Sequence, residues 1–239
     1  MTSYEQKIQL ELESWQRKML KKPSFVNHFT KGIQTKINQW MPEQVQSFIT
    51  KSIKHMVQGV LIGSEYTTKQ PLLIDVPLEE RERRVLERLD FYKKLAAAEG
   101  AGTGAGGILL GLADFPLLLG IKMKFLFDTA SIYGYDVRKY TERVYILFLF
   151  QLAFSSENRR RQIYHQIANW KQTIHTLPFD YDELDWQSFQ QEYRDYLDLA
   201  KFLQLMPGIG AVVGAFVNYQ LLDTLGETAM NGYRLRLLK

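Results

Sequence analysis

The residues whose chemistry stands out are isolated acids in apolar surroundings. Asp114 interrupts an uncharged stretch immediately before Phe115 and Pro116. A carboxylate there has two readings. It caps the exposed N–H groups of the helix whose first turn holds Pro116, or it is buried with a raised pKa and works as a general base, with Glu99 or Asp128 beside it. Asp136, in the run YGYD, reads as the cap of a helix beginning near Val137, with Gly134 ending the helix before it.

Other routes to catalysis are poorly furnished. His28, His55, His165 and His175 have no metal-ligand spacing, and the chain has no cysteine, which removes disulfides and thiolate zinc sites. No metal or other cofactor is expected. Ser131 and Ser155 have no partner base in the sequence, and there is no G-x-S-x-G elbow. Gly102, Gly104 and Gly107 match G-x-G-x-x-G, but the preceding VLERLDFYKKLAAAEG reads as helix, where a dinucleotide site needs a strand. The run Arg159, Arg160, Arg161, with Lys18, Lys21 and Lys22, offers phosphate contacts to lipid headgroups or is simply solvated. The expectation is a protein that is not an enzyme.

The elements that must carry these residues are helical. Ile8, Leu12, Trp15 and Met19 recur every three or four residues, a stripe that should stop before Pro23. Phe25, Phe29, Ile33, Ile37 and Trp40 make a second stripe, and Pro42 opens a third helix carrying Val45, Phe48, Ile49, Met56 and Val60. Residues 63–77 break the period with Gly63, Pro71 and Pro77 and read as a connector. That connector separates N-terminal amphipathic helices, 1–62, from a helical region, 78–239, within one compact unit. Leu78 to Ala98 reads as a helix with Val85, Leu86, Leu89 and Leu95 inward and Arg and Glu outward. Further helical patterns follow at about 117–133, 138–155, 158–176 and 184–205. No sustained β alternation occurs, so the fold expected is an all-α multi-helix bundle.

Two segments differ in kind from the rest. Residues 100–113, GAGTGAGGILLGLA, carry no charge and six glycines, and FLQLMPGIGAVVGAFVNYQLL, residues 202–222, is also uncharged. Glycine inside a helix costs about 1 kcal/mol relative to alanine, so its recurrence needs a compensating gain. Gly102 with Gly106, Gly107 with Gly111, and Gly210 with Gly214 fall four apart, on one helix face, where a neighbouring backbone can approach closely. The two segments are expected to pack centrally, on each other or as a hairpin. Asp114 and Pro116 cut the first, and Pro207 and Asn218 interrupt the second, so reversible membrane contact or internal packing is favoured over spanning.

The stretches AEGAGTGAGGILLGLADFP, SIYGYD and MPGIGAVVGAFVNYQLLDTLGETAMNGYRLR together resemble the EcsC protein family. The resemblance implies an accessory or peripheral membrane protein associated with an ABC exporter. It implies no catalytic residue. Its positions here are Gly102, Gly106, Gly107, Asp114, Tyr133, Gly134, Asp136, Pro207, Gly210, Gly214 and Asn218, which are packing and turn residue types more than reactive ones.

Charge is uneven along the chain. Residues 1–54 hold nine Lys/Arg against four Asp/Glu, while residues 180–198 hold seven acids against Arg194. Such asymmetry orients a protein at an anionic lipid surface, at about 1 kcal/mol per basic residue. The formal net charge of +4 is too mild to point to nucleic acid. The N-terminal stretch lacks an uninterrupted apolar core and contains Glu5, Glu11 and Glu13, so no signal peptide is expected. The expected partners are an anionic lipid surface or ABC-transporter subunits, and the expected location is cytoplasmic, peripheral at the inner face of the cell membrane. A soluble helical interaction module, or a carrier or enzyme that takes an apolar ligand onto Asp114, is the alternative.

Overall fold

A computed structural model describes residues 2–21, 43–62, 68–104, 115–155, 157–176 and 210–238. Among these residues the chain forms eight α-helices and no strand: α1 (Ser3–Leu20), α2 (Glu43–Ile62), α3 (Leu78–Gly104), α4 (Phe115–Ile132), α5 (Tyr140–Phe154), α6 (Glu157–Ala168), α7 (Trp170–Thr173) and α8 (Gly210–Leu238). One 3₁₀ turn, Ile174–Thr176, follows α7. The all-α expectation holds.

Helix α1 starts on a capping box. The Thr2 hydroxyl accepts from the Glu5 N–H, and the Glu5 carboxylate accepts from the Thr2 N–H. The stripe Ile8, Leu12, Trp15 and Met19 is buried as its spacing predicts. In α2 the buried face is Ile53, Met56, Val57, Val60 and Leu61, while Phe48 is exposed. Both helices contribute to the same continuous apolar core as α3 to α8.

The axis of the fold is the pair α3 and α8. Glu82 meets Arg234, and Lys93 meets Asp223, so the two long helices run antiparallel. Gly226 makes the close approach possible, since a Cβ there would lie 2.6 Å from Leu89 Cδ2. Carried to the described ends of both helices, the same register brings Gly102 to the level of Gly214. Helix α4 is also antiparallel to α3, with Tyr133 against Glu82 at one end and Phe125 against Tyr92 further along. Consequently α4 and α8 run parallel.

The inward face of α3 differs from the expectation. Its buried positions are Glu82, Val85, Leu89, Tyr92, Lys93 and Ala96, whereas Leu86 and Leu95 are exposed. The helical period places Glu82 on the stripe with Val85 and Leu89, while Leu86 and Leu95 sit on its flanks. A carboxylate thus occupies a core position because partners on other elements neutralise it.

The connector also has a different role from a plain boundary. Leu73 is buried, and its N–H reaches the Ser131 carbonyl at 3.3 Å. Arg81 donates to the Val76 carbonyl at 2.7 Å and to the Tyr133 carbonyl at 2.9 Å, which ties residues 73–77 across the end of α4. There α4 closes in a Schellman motif. Gly134 has φ +89°, its N–H bonds the Ser131 carbonyl, and the Tyr135 N–H bonds the Ala130 carbonyl, both at 2.9 Å. Gly134 therefore ends the helix as expected.

Asp136 does not cap a helix at Val137. Helix α5 begins at Tyr140, and Asp136 instead accepts from the Arg138 N–H at 3.1 Å and from its guanidinium at 2.8 Å. The Lys139 N–H closes a turn onto the Asp136 carbonyl. Five residues, 135–139, separate the Schellman glycine from the next helix, and the short Asp side chain is spent on the turn within them.

Candidate functional site

The most concentrated chemistry lies inside the bundle, in three carboxylates that are each held by an arginine. Glu82, on α3, is 0% exposed. Its Oε1 accepts from Arg234 Nε at 2.7 Å and from the Tyr133 hydroxyl at 3.0 Å. Its Oε2 accepts from Arg234 Nη2 and from the Tyr4 hydroxyl, each at 2.7 Å. An ionised carboxylate offers about four lone-pair positions, and here all are filled. Arg234 adds bonds to Asn231 Oδ1 at 3.1 Å and Glu11 Oε2 at 3.4 Å. Burial works against the guanidinium charge, but the Glu82 bonds outweigh it and its pKa is raised. Burial, reinforced by Glu82, also raises the Tyr4 and Tyr133 pKa values, so both hydroxyls stay protonated donors.

Two residues further along α8, Arg236 forks onto Glu142 of α5 at 2.6 and 2.8 Å. The guanidinium lies 3.8 Å from the Tyr135 ring centre and 4.5 Å from that of Tyr145. Tyr233 sits between these two ion pairs, stacked on Tyr133 and Tyr135 with centroids 5.1 and 5.2 Å away. The Tyr145 hydroxyl donates to the Gly232 carbonyl at 2.6 Å, while the buried Tyr233 hydroxyl has no partner. The third carboxylate is Asp128, buried on α4. It accepts from Arg88 at 2.6 and 3.0 Å, from the Tyr92 hydroxyl at 2.9 Å, and from the Thr68 hydroxyl.

A carboxylate so fully occupied cannot take a substrate proton without first losing a partner. Each pair ties elements that are distant in sequence: α1, α3, α4 and α8 at Glu82, α5 and α8 at Glu142, and the connector, α3 and α4 at Asp128. At Glu82 and Glu142 the contacts are fork-to-fork, two nitrogens on two oxygens, which gives high geometric specificity, whereas both Arg88 bonds converge on Asp128 Oδ2. Among the described residues no group of three or more His, Cys, Asp or Glu could hold a metal ion.

Lys122 is the exception to this pairing. It lies on α4, is 2% exposed, and among the described residues its amine donates only to the Leu118 carbonyl at 3.4 Å. Burial without a counter-charge lowers its pKa to about 8.

The positions singled out from sequence divide among these surroundings. Tyr133 belongs to the Glu82 cluster, Gly134 ends α4, and Asp136 holds a surface turn. Gly102 falls in the last turn of α3, and Gly210 and Gly214 in the first turns of α8. Asn218 is buried on α8 with its Nδ2 amide unpaired. Gly106, Gly107, Gly111, Asp114 and Pro207 lie outside the described residues. Asp128, named as a possible companion for Asp114, is held by Arg88, and its relation to Asp114 lies outside the described residues.

Sequence reasoning missed Glu82, Arg234, Glu142, Arg236 and Lys122. The signals available were weak. Glu82 sits on the apolar period of α3, and Lys122 interrupts FPLLLGIKMKFLF, but nothing in the sequence pairs residue 82 with residue 234.

Comparison with known proteins places this architecture. The EcsC protein family matches over residues 6–238. Protein EcsC of Bacillus subtilis (strain 168) is 45% identical over 239 residues, covering 100% of this chain and 98% of that protein. The uncharacterized protein YdbA of the same strain is 26% identical over 245 residues, covering 95% of this chain and 90% of that protein. No solved structure matches the chain.

Proposed function

This chain belongs to the EcsC protein family, and from that premise we propose that it is a non-enzymatic accessory protein that docks peripherally on the cytoplasmic face of the cell membrane. The docking end is the one that carries the glycine-rich segments. The observation that supports the reading is the presence of exposed apolar side chains toward that end. Phe216 is 62% exposed and Leu117 is 49% exposed, and Phe91, Leu95 and Tyr219 are exposed in the same half of α3 and α8. Apolar side chains gathered this way on a helical end suit shallow contact with the headgroup and acyl boundary. Among the described residues no helix is long and apolar enough to cross a membrane, so the contact proposed is along the surface.

Saturation of the buried carboxylates favours a scaffold over a reaction centre. The basic excess in residues 1–54 supplies attraction to anionic headgroups. Subunits of an ABC exporter are the protein partners that the family resemblance suggests at that surface.

Flotation of the purified full chain with vesicles tests the proposal. Phosphatidylglycerol-containing vesicles should carry the protein up the gradient at low salt, and purely zwitterionic vesicles should carry much less. Phe216→Ser with Leu117→Ser, both at exposed positions, should leave the fold intact and release the protein from the vesicles. Protein that stays at the bottom with anionic vesicles, or a double variant that floats as well as the parent, overturns the proposal.

A further inference from the structure

Two buried side chains in the same half of the bundle are donors that lack an acceptor of matching strength. Among the described residues Lys122 has only the carbonyl of Leu118, one turn back on its own helix. Asn218 is 2% exposed, and its Nδ2 amide has no hydrogen-bond partner among the described residues. The other buried cations, Arg234 and Lys93, each meet a carboxylate, at 2.7 Å in both cases. An uncompensated buried ammonium costs several kcal/mol, about what an anionic partner would recover.

The topology brings the two donors to one level. Helices α4 and α8 run parallel, and Tyr133 stacks on Tyr233 at one end of the pair. The same number of residues back along each helix leads to Leu118 and to Asn218. The bond to the Leu118 carbonyl draws the Lys122 amine toward that turn. Its buried neighbours on α4 include the apolar Phe115, Leu119, Ile121 and Met123, and Leu117 and Phe216 are exposed at the same end.

We propose that Lys122 and Asn218 form the headgroup site for the single carboxylate of an acidic amphiphile of the fatty-acid class. The ammonium supplies one charge-assisted hydrogen bond and the amide a second, which matches a carboxylate's two oxygens. One cation balances one negative charge, so a phosphate monoester would remain undercompensated. The apolar surroundings take the alkyl chain, with Leu117 and Phe216 on its way to solvent. The site shares an end of the bundle with the proposed membrane contact but does not depend on it, because the ligand is taken as a monomer from solution.

The test is a fluorescence titration of the full chain, without vesicles, using dansyl-labelled undecanoic acid near neutral pH. Saturable binding is expected, displaced by dodecanoate and not by dodecanol or inorganic phosphate. Lys122→Met should weaken binding at least about tenfold, the loss of one charged contact, and Asn218→Leu about threefold. Lys122→Arg should retain binding, which separates charge recognition from disruption of the fold. Absence of saturable binding overturns the proposal, as does equal affinity in Lys122→Met or equal competition by dodecanol. Marked destabilisation of unliganded Lys122→Met also overturns it, since the amine would then already have an anionic partner within the chain. Failure here leaves flotation unaffected, and failure of flotation leaves this titration unaffected.

Discussion

The two ends of the α3 and α8 pair solve the same packing problem in opposite ways. At the Glu82 end, four hydrogen bonds fill one buried carboxylate, and a neighbouring pair, Glu142 with Arg236, is clasped by tyrosine rings. At the Lys122 end, side chains shrink to glycine along both helices, a lysine and an asparagine are buried without matching partners, and aromatic and aliphatic side chains face outward. A saturated network selects one arrangement of helices, because every alternative strands a charge. An unsaturated, small-residue end fixes less and leaves surface and donors available. The contrast suggests that the fold is specified at one end and used at the other.

The strongest way to break that contrast is to remove Arg234. Arg234→Met leaves Glu82 ionised in the core with only tyrosine donors, and loss of one partner from a buried pair typically costs about 3–5 kcal/mol. Urea unfolding should show that loss as a lowered midpoint with little change in slope. Combining it with Glu82→Leu should recover most of the stability, since no charge is then stranded. A small effect of Arg234→Met would mean that water already reaches the cluster, and the two ends would not differ as described.

The opposite sign is expected at Lys122. Its folded pKa of about 8 lies below the ordinary lysine value of 10.5, so between those values the unfolded chain binds more protons and stability rises with pH. Below that window the full penalty stands, about 3 kcal/mol as an upper figure at 1.36 kcal/mol per unit. Lys122→Met should therefore be more stable than the parent near neutral pH, with the difference shrinking as pH climbs toward 10. The comparison isolates the lysine because the raised Tyr133, Tyr145 and Tyr233 values act equally in both proteins. A stability difference that does not change with pH would remove Lys122 from the list of unpaired charges.

What could be read from the sequence follows from which information is local. The stripe on α1 and the glycine stop at Gly134 were legible because a helix face and a left-handed turn are written within a few neighbouring residues. The inward face of α3 departs from the expectation at Leu86 and Leu95 because hydrophobic type alone does not fix phase, whereas Glu82, Val85, Leu89, Tyr92 and Ala96 keep the helical period. The ion pairs were not legible at all. Glu82 and Arg234 are 152 positions apart, and a charge on a helix is by default a solvated one until a partner from another element is known. Asn218 was noticed for its family-like position, but only the bundle shows that its amide is enclosed.

A smaller effect is expected where Gly226 of α8 faces the Leu89 side chain of α3. Gly226→Ala would put a methyl group 2.6 Å from Leu89 Cδ2, and the overpacking, partly offset by the better helix propensity of alanine, should cost about 1–2 kcal/mol. The obstacle is a side-chain tip rather than backbone. Leu89→Ala should therefore cost less in the Gly226→Ala background than alone, and a double-mutant cycle reads that coupling. Purely additive losses would show that α3 and α8 separate at this point to admit the methyl group.

The smallest effect concerns how α1 is attached to the saturated end. The Thr2 hydroxyl caps the helix, and Tyr4, two residues on, delivers its hydroxyl to Glu82. Thr2→Ala should cost about 1 kcal/mol or less, the usual loss at an N-cap. Because the first turn of α1 positions Tyr4, the loss should appear locally, as faster amide exchange in α1 through Ile8, with Leu222 to Tyr233 of α8 keeping parental protection. If exchange quickens across α8 as well, the capping box, the Tyr4 bond and the Glu82–Arg234 pair open together. The first helix would then be part of the network that specifies the fold rather than a strap laid over it.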